Sequence, residues 1–239
     1  MNDNSNRLPC VIDLHSQYHK TCSVRPDTEF AREISKLTDL VKPHKIIETG
    51  TYLGKGTTKV IHDALVRSHI ADFTFITIEV DPLSYKKSVE YFIQNKMRIL
   101  SLNGLSIKRQ DLPSLEQIQD AFVENKEFPN IDYDYPETVR AKLYFSETDY
   151  DVPDNLLYAA FNHFDFAPDL LMLDSSGHIG FQEFSHVIKL AQGRCYILLD
   201  DVYHCKHYRS LQVINNSPNF KIIALSKERH GFCICQYSP

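Results

Sequence analysis

The stretch IIETGTYLGKGTT, residues 46–58, decides the fold. A short apolar run from His44 to Glu48 leads into its glycines, and residues 55–67 follow with apolar side chains at helical spacing. A glycine-rich turn lets a ligand touch the main chain, and the start of the next helix offers free N–H groups. The pattern therefore predicts a strand, a turn that suits a nucleotide-like ligand, and a helix.

The spacing of the glycines separates this turn from two common nucleotide-binding motifs. Gly50, Gly54 and Gly56 lie four and then two residues apart, whereas the dinucleotide fingerprint needs G-x-G-x-x-G. A P-loop would end in Gly-Lys-Ser/Thr, which this turn does not. Glycines that merely permit a tight strand-to-helix turn remain an alternative to a ligand site.

Strand and helix patterns alternate along most of the chain, which predicts a parallel sheet. Further strands are expected at residues 73–79, 97–102, 169–173 and 195–199, and further helices at residues 27–41, 84–95, 181–191 and 203–214. Phe220 to Leu225 and Phe232 to Gln236 are joined by a linker too short for a crossover helix, so they must form an antiparallel hairpin.

A single domain is expected over residues 1–239. It has an N-terminal helical extension over residues 1–42 and an insertion over residues 103–168 that contains two helical patterns, Leu115 to Val123 and Leu156 to Phe164. A connection of that length is usually functional, so we interpret the insertion as a lid or a wall for the substrate. A surface excursion without a function is the alternative.

The composition is that of a globular protein. Of 239 residues, 43% are hydrophobic and 24% charged, and the net charge of -5 gives no basic field that would attract nucleic acid. No stretch reaches the roughly 20 apolar residues that a membrane span needs, so no membrane partner and a cytoplasmic location are expected. The six cysteines lack C-x-x-C spacing and are interpreted as reduced thiols. A homo-oligomer is left open.

Carboxylates follow several of the expected strands. Glu79 ends the second strand, where an acid can accept both hydroxyls of a ribose. Asp81, followed by Pro82, is predicted to cap the next helix. Asp174 follows the fourth strand and the pair Asp200 and Asp201 the fifth. Acids at neighbouring strand tips repel each other unless a cation lies between them, so these three suggest Mg²⁺, Ca²⁺ or Mn²⁺. Helix capping would explain one of the pair, but hardly all three acids.

Together, these motifs resemble those of class I (Rossmann-like) S-adenosylmethionine-dependent methyltransferases. The turn is similar to the E-x-G-x-x-x-G-x-S/T form found in small-molecule O-methyltransferases. The aspartates resemble those of metal-dependent O-methyltransferases of the catechol and macrolide-sugar types. The resemblance covers about residue 43 to the C-terminus without the insertion. It implies an α/β fold with a seven-stranded, mostly parallel sheet in the order 3-2-1-4-5-7-6 and helices on both faces.

The resemblance also implies two cofactors, S-adenosylmethionine and Mg²⁺ or another hard divalent cation. Glu48 would help to hold the aminoacyl end of S-adenosylmethionine, while Gly50 and Gly54 would allow its close approach. Asn103 ends the third strand, where the family places adenine contacts, although Asn-Gly is also ordinary turn chemistry. The full set of expected cofactor-binding residues is Glu48, Gly50, Thr51, Gly54, Thr57, Glu79, Asn103 and Asp174, and the expected metal ligands are Asp174, Asp200 and Asp201.

A general base is expected near the metal, because the acceptor must lose a proton. His178 is the first candidate, since imidazole titrates near neutrality. In the families that the chain resembles, the base lies three residues after the aspartate, where this sequence has Gly177. His204 and Lys206 are the reserves, and each of the three could instead be a surface or capping side chain. The predicted catalytic residues are His178, Asp174 and His204.

The sequence thus predicts a metal-assisted, S-adenosylmethionine-dependent O-methyltransferase for a small hydroxylated acceptor, a sugar or a phenol. The metal would hold the acceptor's oxygens and lower the pKa of a hydroxyl. Two alternatives are another transferase on the same scaffold, for N-methyl or sugar-nucleotide transfer, and a non-catalytic module that binds S-adenosylmethionine. Tyr133, Tyr135 and Tyr144 of the insertion are candidates for the acceptor pocket, although surface packing is the simpler role.

Overall fold

Residues 24–124 and 137–239 are described by the computed structural model. In these residues one seven-stranded sheet has the order β3-β2-β1-β4-β5-β7-β6, which confirms the predicted topology. Strands β1 to β5 are parallel, and β7 pairs antiparallel with both β5 and β6. The bounds are β1 Lys45–Thr49, β2 Thr74–Glu79, β3 Leu100–Asn103, β4 Leu170–Leu173, β5 Cys195–Asp200, β6 Phe220–Ser226 and β7 Phe232–Tyr237.

Helices cover both faces of this sheet. Their bounds are α1 Glu29–Val41, α2 Thr57–Arg67, α3 Pro82–Gln94, α4 Leu115–Glu124, α5 Glu137–Ser146, α6 Leu156–His163, α7 Gly180–Leu190 and α8 Tyr208–Asn216. None of the helices in the described part of the chain is long and apolar enough to cross a lipid bilayer. Expectations for Cys10, Cys22, Tyr133 and Tyr135 lie outside the described residues.

Alternation along the strands divides the core into two layers, since successive side chains point to opposite faces of a sheet. Ile47 of β1 belongs to the layer that packs against α6, α7 and α8. Its neighbour Ile46 belongs to the layer under α1 and α2. Both side chains are fully buried. The sheet is therefore covered on each side, and the carboxyl ends of its parallel strands meet at one edge, where ligands bind in open α/β sheets.

Several helix starts differ from the sequence expectations, most of all the one after β5. The helix expected from Asp27 begins at Glu29, because the hydroxyl of Thr28 accepts the N–H of Ala31 and caps it. The helix expected from Tyr203 begins only at Tyr208. Turns occupy residues 201–207 instead, and Asp201 opens them in a left-handed conformation with φ 60°. This longer turn directs the side chains that follow β5 toward the strand ends.

The long connection between β3 and β4 contains helices that occupy different positions in the fold. The two helices expected within it are present as α4 and α6, and α5 is an additional one. Leu157 and Phe161 of α6 are buried in the main core, so α6 is the crossover helix between the two strands. Tyr144 at the end of α5 reaches the tip of the sheet instead, as its contact with His204 demonstrates.

Candidate active site

The tips of β4 and β5 bring three carboxylates together. Asp174 follows β4, Asp200 ends β5, and Asp201 is the next residue. One oxygen of each lies within 4.8 Å of the other two. The proximity predicted from the strand ends is therefore present. The divalent ion that it suggested remains a prediction.

The ammonium of Lys206 lies between two of these carboxylates. Its Nζ is 2.7 Å from Oδ1 of Asp174 and 2.8 Å from Oδ2 of Asp201, and its side chain is only 6% exposed. Burial alone would lower the pKa of Lys206, but the charges of the three aspartates outweigh it and raise that pKa well above its ordinary value. Lys206, a reserve base in the sequence analysis, is thus a fixed cation at neutral pH.

The pKa values of the three aspartates shift in different directions. Burial, and then the charges of Asp201 and Asp174, raise the pKa of Asp200 well above its ordinary value. Burial also raises the pKa of Asp174, against the opposing charge of Lys206. For Asp201 burial acts upward too, but Lys206 and His204 together lower its pKa to about 2. Asp201 is therefore the ionised partner of the ammonium.

Gly50 is required by the packing of the turn. It has φ +79°, and a Cβ at this position would overlap the carbonyl of Asp174. Its N–H donates to the carbonyl oxygen of Ile78 at 2.9 Å, which ties the turn to β2 as well. The structure thus gives Gly50 a role within the protein itself. Whether Gly50 and Gly54 also admit a cofactor remains a prediction.

Two of the expected cofactor-binding residues beside this turn can form further hydrogen bonds. Thr51 is 4% exposed, and its hydroxyl has no hydrogen-bond partner among the described residues. Glu79 accepts the N–H of Tyr52 at 2.6 Å and that of Asp81 at 2.9 Å. A carboxylate offers about four lone-pair sites, so Glu79 can accept further donors. Burial raises the pKa of Glu79 to about 7. Asp81 caps α3 as predicted.

Other expected cofactor residues bind protein groups. Glu48 is fully buried, and its two oxygens accept the hydroxyls of Thr57 and Thr58 at 2.5 Å each. Burial raises the pKa of Glu48 to about 8. The amide of Asn103 donates to the carbonyl oxygens of Glu79 and Val80 at 2.7 and 3.2 Å. These residues are therefore hydrogen-bonded to groups of the protein itself. Their direct contact with a cofactor remains a prediction.

The two candidate histidines have different surroundings. His178 is buried, with Nδ1 2.8 Å from the hydroxyl of Ser176 and Nε2 3.1 Å from that of Thr148. Burial lowers the pKa of His178 to about 3, so it is a weak base. Nε2 of His204, also buried, lies 3.2 Å from the hydroxyl of Tyr144. A Cβ at Gly177 would lie 3.2 Å from Cε1 of His204, so this ring fills the space beside position 177.

Two further acids near the site, the buried Glu183 and the half-buried Glu147, were not predicted from the sequence. Glu183 of α7 accepts the hydroxyls of Thr49 and Ser175 at 2.9 and 2.8 Å, and burial raises its pKa to about 6. Glu147 accepts the hydroxyl of Ser176, and burial raises its pKa to about 7. Glu183 lies within α7, and Glu147 directly follows α5, a helix that the sequence did not predict, so neither acid stands at the end of an expected strand. Together with the acids above, they make this edge of the sheet rich in carboxyl groups.

This architecture is the class I S-adenosylmethionine-dependent methyltransferase fold. A Bacillus cereus O-methyltransferase in complex with SAH has TM-score 0.56 and 14% identity, over 95% of this chain and 89% of its own. A putative O-methyltransferase from Klebsiella pneumoniae has TM-score 0.54 and 13% identity, over 99% and 93%. The O-methyltransferase TomG from Streptomyces achromogenes, in complex with SAM, has TM-score 0.53 and 12% identity, over 96% and 88%. No family model and no curated protein matches the sequence.

Proposed function

We propose that this protein is an S-adenosylmethionine-dependent O-methyltransferase that acts on a small hydroxylated molecule, a sugar or a phenol. The observation that carries the proposal is the excess of buried and half-buried carboxyl groups over cations at the strand tips, among the residues that the structure describes. S-adenosylmethionine has a positive sulfonium and a positive amino group. A nearby positive charge lowers the pKa of a carboxyl group and favours its ionised form, so an edge rich in carboxyl groups suits this cofactor. The fold supports the same cofactor, because the similar structures include complexes with SAM and SAH.

The expected cofactor position fits the groups around the turn. The hydroxyl of Thr51 is buried and lacks a partner among the described residues. A buried polar group without a partner is costly, so a ligand that supplies one is favoured. Glu79 at the end of β2 retains acceptor sites for ribose hydroxyls. Thr51 and Glu79 are therefore the contacts that we expect first.

The predicted divalent ion fits the site less well than the cofactor. Three carboxylates converge there, as hard cations require. However, the ammonium of Lys206 is hydrogen-bonded to two of them, and an ion bound to both would have to displace it. The proposed reaction therefore contains no step through a metal.

His204 is the base that we favour for removing the proton of the acceptor hydroxyl. Its ring lies beside Gly177, the position that corresponds to the base in the families that the chain resembles. When the ring hydrogen is on Nδ1, His204 cannot accept the main-chain N–H of Lys206, which lies 3.3 Å from Nδ1. In this tautomer Nδ1 donates to Sγ of Cys205 at 3.4 Å instead. Nε2 can then accept a proton. His178 has a pKa of about 3, and a group with so low a pKa has little driving force for proton abstraction.

Calorimetric titration of the purified protein with S-adenosylmethionine and S-adenosylhomocysteine tests the cofactor assignment. We expect both to bind at micromolar concentrations. A folded protein that binds neither would contradict the proposal, and binding of a nucleotide sugar under the same conditions would favour sugar-nucleotide transfer.

Thr51→Val is expected to weaken the binding of S-adenosylhomocysteine about fivefold, the equivalent of one ordinary hydrogen bond of about 1 kcal/mol. The stability of the free protein should stay equal or rise, because the hydroxyl that is removed has no partner among the described residues. Calorimetry and thermal unfolding measure the two effects. Thr38→Val, which removes a buried hydroxyl bonded to the carbonyl of Ile34 in α1, is the control and should reduce stability without changing affinity.

His204→Gln is expected to reduce methyl transfer about 100-fold or more, the usual contribution of a general base. His178→Gln should reduce it far less. Release of S-adenosylhomocysteine from a panel of sugars and phenols measures turnover, and calorimetry confirms that cofactor binding is unchanged. Equal activity of the His204→Gln variant and the parent protein would exclude His204 as the base.

A further inference from the structure

The position between Asp174 and Asp201 holds one cation. Lys206 Nζ is within 2.8 Å of an oxygen of each. A divalent ion bound by the same oxygens would lie at about 2.0–2.6 Å from them, and therefore within a few ångströms of the ammonium. Two positive charges so close repel each other strongly in a buried site.

The aliphatic part of the Lys206 side chain is also packed within the protein. The residue is buried, and a Cβ added to Gly180 would lie 2.5 Å from its Cγ and 2.7 Å from its carbonyl oxygen. The start of α7 and the turn after β5 thus enclose the stem. An ion that displaced the ammonium would have to move a packed side chain, not a solvated one.

We propose that the Lys206 ammonium is the permanent cation of this site and replaces the divalent ion that the aspartates suggest. Two of its N–H groups hold Asp174 and Asp201, and the third binds the oxygen of the methyl acceptor. This inference rests on the proposed O-methyl transfer. Lys206 orients the acceptor and neutralises charge that develops on its oxygen, and it neither gains nor loses a proton.

The reaction balances without a metal. The acceptor hydroxyl gives its proton to His204, and its oxygen forms a bond to the methyl carbon of S-adenosylmethionine. The bond between that carbon and sulfur breaks, and its electron pair stays on sulfur. The products are the methyl ether, S-adenosylhomocysteine and the proton, which passes from His204 to solvent.

Binding of Mn²⁺, followed by electron paramagnetic resonance, tests this inference without any methyl acceptor. The parent protein is expected to leave Mn²⁺ free up to millimolar concentrations. Lys206→Met should bind it at least about tenfold more tightly, because it leaves the acids without their cation. The further change Asp200→Asn in that variant should remove the gain. Lys206→Arg, which keeps the charge, and Lys189→Met, which removes an exposed lysine, should both behave like the parent.

Micromolar Mn²⁺ binding by the parent protein, lost in Asp201→Asn, would overturn the inference, because it would mean that Lys206 gives way to an ion. The parent measurement decides this even if Lys206→Met fails to fold. Titration of the parent with S-adenosylhomocysteine, with and without Mg²⁺, separates this inference from the proposed function. Absence of binding in both conditions would refute the function, whereas tighter binding only with Mg²⁺ would refute the permanent ammonium.

Discussion

Gly50→Ala is expected to destabilise the protein by about 3 kcal/mol or more, at the upper end of ordinary single substitutions. Two costs add at this position. A residue with a Cβ is strained at φ +79°, and the added atom would overlap the main-chain carbonyl of Asp174. Main-chain atoms at the end of a buried strand cannot rotate away as a flexible side chain can. Chemical denaturation measured at one pH checks the effect.

Gly193→Ala is the matched control for this substitution. A Cβ at Gly193 would meet only the Cβ of Ala167, at 3.6 Å, which is an ordinary contact. We expect a change within about 0.5 kcal/mol, as for most substitutions away from special positions. Similar free energies of unfolding for both variants would contradict the close approach of the turn to β4.

Glu48→Gln is expected to make the free protein markedly less sensitive to alkaline pH. The pKa of Glu48 is raised by burial from 4.5 to about 8 in the folded chain. The folded state therefore holds this proton more tightly than the unfolded state. The resulting stability is complete below pH 4.5 and is lost as the pH rises through about 8. One such group changes the free energy of unfolding by about 3 kcal/mol between pH 5 and pH 8.

The amide that this substitution introduces has the size of the acid and carries no charge, and the hydroxyl of Thr57 or Thr58 can turn to accept from it. We expect the variant to match the parent at pH 5 and to exceed it at pH 8, in urea unfolding at each pH. Glu90→Gln, which changes an exposed carboxylate, controls for the general loss of an acid. Parallel pH curves for parent and Glu48→Gln would show that Glu48 is already ionised at neutral pH in the folded protein.

The strand order could be predicted because the sequence resembles a known fold, and this resemblance rests on local patterns. A glycine-rich turn between a strand and a helix, and a hairpin with a short linker, are visible without tertiary contacts. The meeting of Asp174 with Asp200 and Asp201 was also accessible, since parallel strands place their carboxyl ends at one edge. The meeting of these acids needs only the direction and adjacency of two strands, whereas the strand order came from the resemblance, which periodicity alone could not replace.

The positions of the Lys206 ammonium and of Tyr144 beside His204 could not be derived in this way. Lys206 points at the acids because a turn over residues 201–207 replaces the helix that periodicity predicts. The conformation of a turn depends on single dihedral angles, such as the positive φ of Asp201, which no repeat encodes. Tyr144 reaches His204 across 60 residues of sequence, from a helix that the sequence analysis did not predict. Its position depends on tertiary packing alone.

The contacts of Tyr144 in α5, and of Thr148 just after it, with the two histidines also bear on selectivity. Tyr144 and Thr148 offer their hydroxyls to His204 and His178 in the resting protein. If His204 is the base, as we propose, an acceptor that reaches it must separate the ring from Tyr144 and supply a hydroxyl in its place. A molecule of similar shape that lacks this hydroxyl would leave a buried polar group unsatisfied, which sites of this kind reject strongly. Under the proposed role of His204, the phenol of Tyr144 occupies the position that the acceptor's hydroxyl would take, and only a molecule with an equivalent hydroxyl would replace it.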